Sequence, residues 1–218
     1  MNTEMAPDPG TALLAVLAYQ NLRVAESLLT RAEEPTELAD RLPVARVAAD
    51  ALTRFTLACD AIPGGQTVAQ QAMEPIVSPV DEFWAMTRPR SWAEQRLRVM
   101  VVASTELEVV QRALTHVPEM AAEAIGSTAA AWRAIDHGSQ AAVAAVQLGG
   151  NGSDELSLYA RRLLGETAVM CQRVIVRQPA LRVALTGGMD EELTASTAVL
   201  DEVLAAVAAR VAGLGLSA

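Results

Sequence analysis

The stretch VARVAADALTRFTLACDAI, residues 44–62, decides how this chain folds. Its residues Val44, Ala48, Ala51, Phe55, Ala58 and Ile62 recur every three or four positions, the period of one helix face. Arg54 lies at the edge of that stripe, near the middle of the predicted helix. Arginine is rarely buried without a partner, so this side chain either escapes to water or meets a carboxylate. The answer bears directly on function.

Working outward, the same helical period recurs on both sides. Pro7-Asp8-Pro9-Gly10 is a start signal for a helix over 11–31, with Leu14, Leu17, Val24 and Leu28 on one face and Asn21 among them. Residues 1–10 are expected to form a flexible N-terminus. Glu33-Glu34-Pro35 breaks the chain, and Thr36 caps a second helix that runs to residue 62, with Pro43 as a kink or break in its first third. Pro63-Gly64-Gly65 ends it. The stretch to Pro89 reads as a long connection with short helical pieces at 68–73 and 79–86, the kind that crosses from one end of a bundle to the other. Ser91 and Glu94 form a capping box for a third helix reaching residue 115, with Leu97, Val101, Ser104, Glu108 and Gln111 as its stripe. A fourth helix is predicted over 118–148, its stripe Ile125, Ala129, Trp132, Asp136, Ser139, Val143 and Val146. Ser153 or Asp154 opens a fifth helix to residue 176, then a short piece over 179–185 leads to a last helix over 190–212. Nothing marks a domain boundary. The expectation is one all-α domain.

Composition narrows the chemistry. The chain has 218 residues, 51% hydrophobic but only 3% aromatic, so its core is aliphatic. Its net charge is −9, and all 17 basic residues are arginine. Without lysine there is no Schiff-base chemistry and no P-loop lysine. An acidic chain is a poor general binder of nucleic acid, although a local arginine patch remains open. Cys59 and Cys171 stand far apart inside predicted helices and read as free thiols, without metal-like C-x-x-C spacing. No basic-then-apolar leader and no apolar run long enough to span a bilayer is visible, so a cytoplasmic location without membrane contact is expected.

Asn21, Arg54, Glu108, and Asp136 with Ser139 each stand near the middle of a different helix. Taken by themselves they are equally readable as polar residues at stripe edges that reach water. Three stretches add a second reading. LLAVLAYQNL (13–22), AMEPIVSPVDEFWAMTRPRSW (72–92) and YARRLLGETAVMCQRV (159–174) resemble, within a similarity spanning 13–188, the ferritin-like family related to the non-haem di-iron hydroxylase of 2-methylthio-N6-isopentenyl-adenosine in tRNA. The resemblance implies a ferritin-like four-helix bundle with a long crossover connection and two additional C-terminal helices. It also implies a dimetal centre built from a Glu on the first helix, E-x-x-H on the second, a carboxylate on the third and a carboxylate-x-x-His on the fourth. Residues three apart share a helix face, and carboxylates with imidazoles suit iron.

Carried over by position, that ligand set falls on Asn21, on Ala51 and Arg54, on Glu108, and on Asp136 and Ser139. His137 is one residue off and is expected to point about 100° away from the ligand direction. Too few ligands remain, so no metal, no cofactor and no catalytic residue is expected. Arg54 is expected to stand in for the metal charge and to pair with Glu108, Asp136 or both, with Asn21 and Ser139 completing the hydrogen bonds. The function expected is a non-catalytic binding or interaction protein. Apolar faces on the fifth and last helices point to a homo-oligomer, a dimer, or to pairing with a related ferritin-like protein. Two alternatives stay open: a di-iron or remodelled-metal oxidoreductase, and a carrier of a small apolar ligand in the space beside Ala51.

Overall fold

A computed structural model describes residues 8–31, 37–117, 128–148, 151–188 and 192–217. Among them are eight helices and no strand: α1 (Pro9–Thr30), α2 (Leu38–Ala61), α3 (Gly65–Met86), α4 (Trp92–Ala113), α5 (Thr128–Leu148), α6 (Asn151–Arg177), α7 (Pro179–Thr186) and α8 (Glu192–Ala212). No helix in the described residues is long and apolar enough to cross a membrane. The start of α5 as read at Pro118 lies outside the described residues, as do residues 1–7 of the expected flexible N-terminus. Pro9 and Gly10 are already helical, because the Asp8 carboxylate accepts from the backbone N–H of Gly10 (3.0 Å) and Thr11 (3.1 Å).

The two tightest helix pairs are α1 with α2 and α4 with α5, and contacts of α1 with α4 and of α2 with α5 close them into a four-helix bundle. Hydrogen bonds fix the directions. Tyr19 to Asp81, Trp84 to Gln20 and Arg31 to the Pro89 carbonyl run in the same order along both segments, so α3 is parallel to α1. Asn21 to Glu106 and Gln95 to Ser27 run in opposite order, so α4 is antiparallel to α1. The crossover is therefore α3 itself, and 22 residues at 1.5 Å each carry the chain about 33 Å.

This corrects the expectation of two short pieces. Pro75 and Pro79 sit inside one continuous helix. Each proline removes a helical hydrogen bond. The face Ala69, Ala72, Ile76, Val80, Phe83 and Trp84 is nevertheless buried along the whole length, and the buried Gln178 amide donates to the Ala72 carbonyl (3.1 Å). Apolar burial at roughly 1.5–3 kcal/mol per large side chain outweighs two lost bonds. Pro43 likewise lies inside a continuous α2.

On α2 the expected stripe holds: Val44, Ala48, Ala51, Ala58 and Ile62 are buried, and Phe55 is half-buried against the core. On α5 it does not. Trp132 is 49% exposed and Asp136 and Val143 are also at the surface, while Ala131, Ala134, Ile135, Gly138 and Ala142 face inward. Small residues let α5 approach α4 closely. A Cβ on Gly138 would stand 2.3 Å from the Met100 Cβ and 2.6 Å from the Arg96 carbonyl oxygen. The large residues Trp132 and Val143 suggested a face about one residue's rotation away.

The remaining helices pack on the same bundle. Leu156, Leu163, Met170 and Val174 of α6 and Leu200, Val203, Val207 and Val211 of α8 are buried within the chain. These stripes pack against α3, α4 and α7 and against each other, while Leu158, Val169 and Val176 of α6 and Leu193 of α8 stay exposed.

Candidate functional site: a buried carboxylate between three helices

Glu106 is the polar centre of the bundle. It projects from α4, the helix that the others surround. Every α4 residue from Leu97 to Leu107 is buried, so a charged side chain there has no route to water along its own helix. Two neighbours satisfy it. Asn21 of α1 donates its amide to Glu106 Oε1 (2.9 Å) and to the Leu17 carbonyl (2.8 Å), and the Arg54 guanidinium of α2 donates to the same Oε1. The side chains of Arg54 and Glu106 are 11% and 4% exposed. Arg54 Nε has no partner, so the guanidinium is spent on one carboxylate oxygen. Burial pushes the Glu106 carboxyl above its ordinary value, while Arg54 and the Asn21 amide pull the other way.

The expected residues divide accordingly. Asn21 and Arg54 are brought together, with Ala51 buried one turn before Arg54. Glu108 is not their partner: it is only half-buried and bonds Arg112 (2.8 Å) and Arg210 (3.1 Å) at the other side of α4. Asp136 is exposed and accepts from the Gln140 amide (2.8 Å). Ser139 donates to the Ile135 carbonyl (2.8 Å) and touches Met100 Sδ (3.4 Å), away from Glu106. The expected Arg54–Glu108 and Arg54–Asp136 pairs are therefore replaced by Arg54–Glu106. Residues 106 and 108 differ by about 200° around the helix. The i,i+4 spacing of Glu108 and Arg112 was the available sign that Glu108 is paired along its own helix.

His137 turns inward in place of Asp136. It is 5% exposed, and its Nε2 has no hydrogen-bond partner. Desolvation, reinforced by the nearby Arg96 charge, lowers its pKa to about 4, so the ring is neutral at pH 7. Arg96 also donates to the His137 carbonyl through Nε (3.0 Å), tying α4 to α5.

Glu106 also borders a cavity of about 50 Å³ between α1, α4 and the C-terminal helices, walled by Leu17, Val109, Met170, Val174 and Leu200. Cys171 in the same wall is a buried free thiol, pushed up to about 12 by desolvation, so it is not a nucleophile at neutral pH. Cys59 is free and half-buried.

A ferritin-type dimetal centre draws on about six carboxylate and imidazole ligands. Among the described residues no three His, Cys, Asp or Glu side chains gather closely enough to hold a metal ion. At the bundle centre one carboxylate faces an amide and a guanidinium, and the guanidinium would repel a divalent cation at the same oxygen. The residues present do not fit such a centre. The arrangement holds a buried charge in place.

Comparison with family models matches residues 9–188 to a family described as a ferritin-like domain of actinomycetes. No curated protein matches the chain.

Proposed function

Because the chain belongs to this ferritin-like domain family, we propose that it is a non-catalytic bundle in which an internal ion pair takes the place of a dimetal centre, and that it works as a binding or interaction protein. The observation that carries this reading is the convergence of Arg54 and Asn21 on one oxygen of Glu106. A fixed guanidinium supplies in the fold the positive charge that bound metal would supply. The likeness of residues 13–22, 72–92 and 159–174 to relatives of the di-iron tRNA hydroxylase supports descent from a metal-bearing ancestor.

The apolar-carrier alternative places its ligand beside Ala51; the cavity beside Glu106 is not lined by Ala51, and its size argues against a carrier there. About 50 Å³ is roughly a third of an apolar cavity that accepts benzene. Self-association, or pairing with a related ferritin-like protein, is better served by the outer face of α2, where Leu38, Leu42 and Leu52 are exposed with Ala45 and Ala49 between them. That spacing of four and three is a heptad seam. Sedimentation of Leu42→Glu against the parent protein tests it: a parent dimer that becomes monomeric supports the seam, and an unchanged dimer rejects it.

The test of the non-catalytic reading is anaerobic titration with Fe(II), followed by oxygen. The expected result is no saturable uptake and no charge-transfer band in the near ultraviolet. Saturation at two irons per chain with such a band would restore the di-iron oxidoreductase reading.

A further inference from the structure

In a chain of net charge −9, four of the 17 arginines converge on one cleft of about 680 Å³, formed by the end of α1, the end of α3 and the start of α4. Arg98 forms its floor and is 5% exposed. Its guanidinium donates to the Trp84 and Thr87 carbonyls (3.2 Å each), to Ser27 Oγ (2.8 Å) and to Gln95 Oε1 (2.8 Å), and its Nε has no partner. Every acceptor is neutral. No carboxylate pairs with Arg98 among the described residues, which is unusual for a buried cation. The carboxyl end of α3 supplies about half a negative charge through its free carbonyls.

Arg88 adds positive charge at the rim. Burial brings the Arg98 pKa down to about 10; Tyr159 acts in the opposite direction, and Arg31 and Arg23 stand close enough to add smaller repulsions. Arg23 is paired with Glu26 (2.5 Å) and Asp81 (3.2 Å), the two carboxylates that line the cleft among the described residues. Arg31 donates to the Pro89 carbonyl (3.0 Å), which fixes its stem at the rim. Arg88 is exposed and has no ion pair or hydrogen bond among the described residues. Ser27 already accepts from Arg98 and Gln95, so its own O–H remains a donor to spend. Guanidinium forks and a hydroxyl around a partly dehydrated space match the tetrahedral oxygens of a phosphate group.

We propose that this cleft binds a small phosphate-bearing anion, held by Arg88 and the Ser27 hydroxyl and drawn by the charge of Arg98, which no carboxylate among the described residues neutralises. The volume exceeds a bare phosphate and leaves room for an organic substituent. Trp84 does not serve to stack a base. Arg98 and Arg23 lie 4.3 and 5.8 Å from its ring centroid, so its π-system is engaged by the protein's own cations. The inference gives a ligand class to the binding role proposed above and rests on that reading for its biology. The two fail separately, since iron uptake would overturn the ion pair at Glu106 and leave this cleft untouched.

The experiment is calorimetric titration and thermal melting of the full chain with inorganic phosphate, at ionic strength held constant with chloride. One saturable site per chain is expected, with Tm rising by about 5–10 °C at phosphate a hundredfold above Kd. Arg88→Ser should weaken phosphate at least tenfold, whereas Arg173→Ser, in an exposed pair with Glu82 on another surface, should not. Glycerol phosphate should compete with phosphate, while vesicles of phosphatidylglycerol should not bind more than vesicles of phosphatidylcholine. Absence of saturation, an equal response to chloride, an undiminished response in Arg88→Ser, or capture by anionic vesicles alone would each overturn the proposal.

Discussion

Replacing Arg54 with methionine removes the cation and keeps most of the aliphatic volume, so it isolates the charge. In the parent, Glu106 is 4% exposed and leans on Arg54 and Asn21 through one oxygen. Taking away one member of a buried ion pair typically costs 3–5 kcal/mol, because the remaining charge is left in a medium that solvates it poorly. For a chain of this size each kcal/mol moves Tm by about 2–4 °C, so Arg54→Met should melt roughly 6–20 °C below the parent. The loss should depend on pH. Burial already raises the Glu106 carboxyl, and without Arg54 it rises further. A carboxyl whose folded pKa lies above its unfolded one destabilises increasingly as pH rises between the two values, and costs nothing below both. The gap between parent and variant should therefore be wide at pH 8 and narrow toward pH 4.5. Arg54→Met with Glu106→Leu should recover most of the stability, since an apolar pair in the same space has no charge to bury. Chemical denaturation at the two pH values, read by far-ultraviolet dichroism, measures all of this. An Arg54→Met protein as stable as the parent at pH 8 would refute the reasoning.

Glu108→Gln should cost less than about 1 kcal/mol in the same assay, because its partners Arg112 and Arg210 are partly solvated and such pairs contribute little; a loss matching that of Arg54→Met would mean the wrong carboxylate has been assigned to the core. His137, with its folded pKa lowered to about 4 against 6.5 unfolded, contributes stability that is complete above pH 6.5 and disappears as pH falls toward 4, about 3 kcal/mol in all. His137→Leu should flatten that part of the pH–stability curve, and parallel curves for parent and variant would reject a neutral buried ring. Gly138→Ala should destabilise by about 1–3 kcal/mol despite alanine's better helix propensity, because the added methyl meets the Arg96 carbonyl and the Met100 side chain; a more stable variant would mean that α4 and α5 separate easily.

The residues show why some of this was readable from sequence and some was not. Helix α2 lies on the outside of the bundle, so its wet and dry faces differ and both its stripe and the position of Arg54 could be read. Helix α4 is enclosed, so its apolar period disappears and nothing in spacing alone separates Glu106 from Glu108. Helix α5 is packed through alanine and glycine, whose hydropathy is weak, while Trp132 at the surface lies 5.5 Å from the Arg210 guanidinium of α8 and pulled the reading outward. In α3 the prolines signalled a break, and only the neighbours α1 and α6 make a continuous helix worth its lost hydrogen bonds. Arg98 gave no signal in sequence, because its importance comes from what surrounds it.

Whether Arg54 and Asn21 occupy Glu106 in place of metal is the question on which the proposed role turns. It is tested most directly by elemental analysis of protein purified after growth with added iron and manganese. A metal-to-chain ratio near zero is expected, for the parent as for Glu106→Leu. One or two metals per chain in the parent, lost in Glu106→Leu, would contradict it.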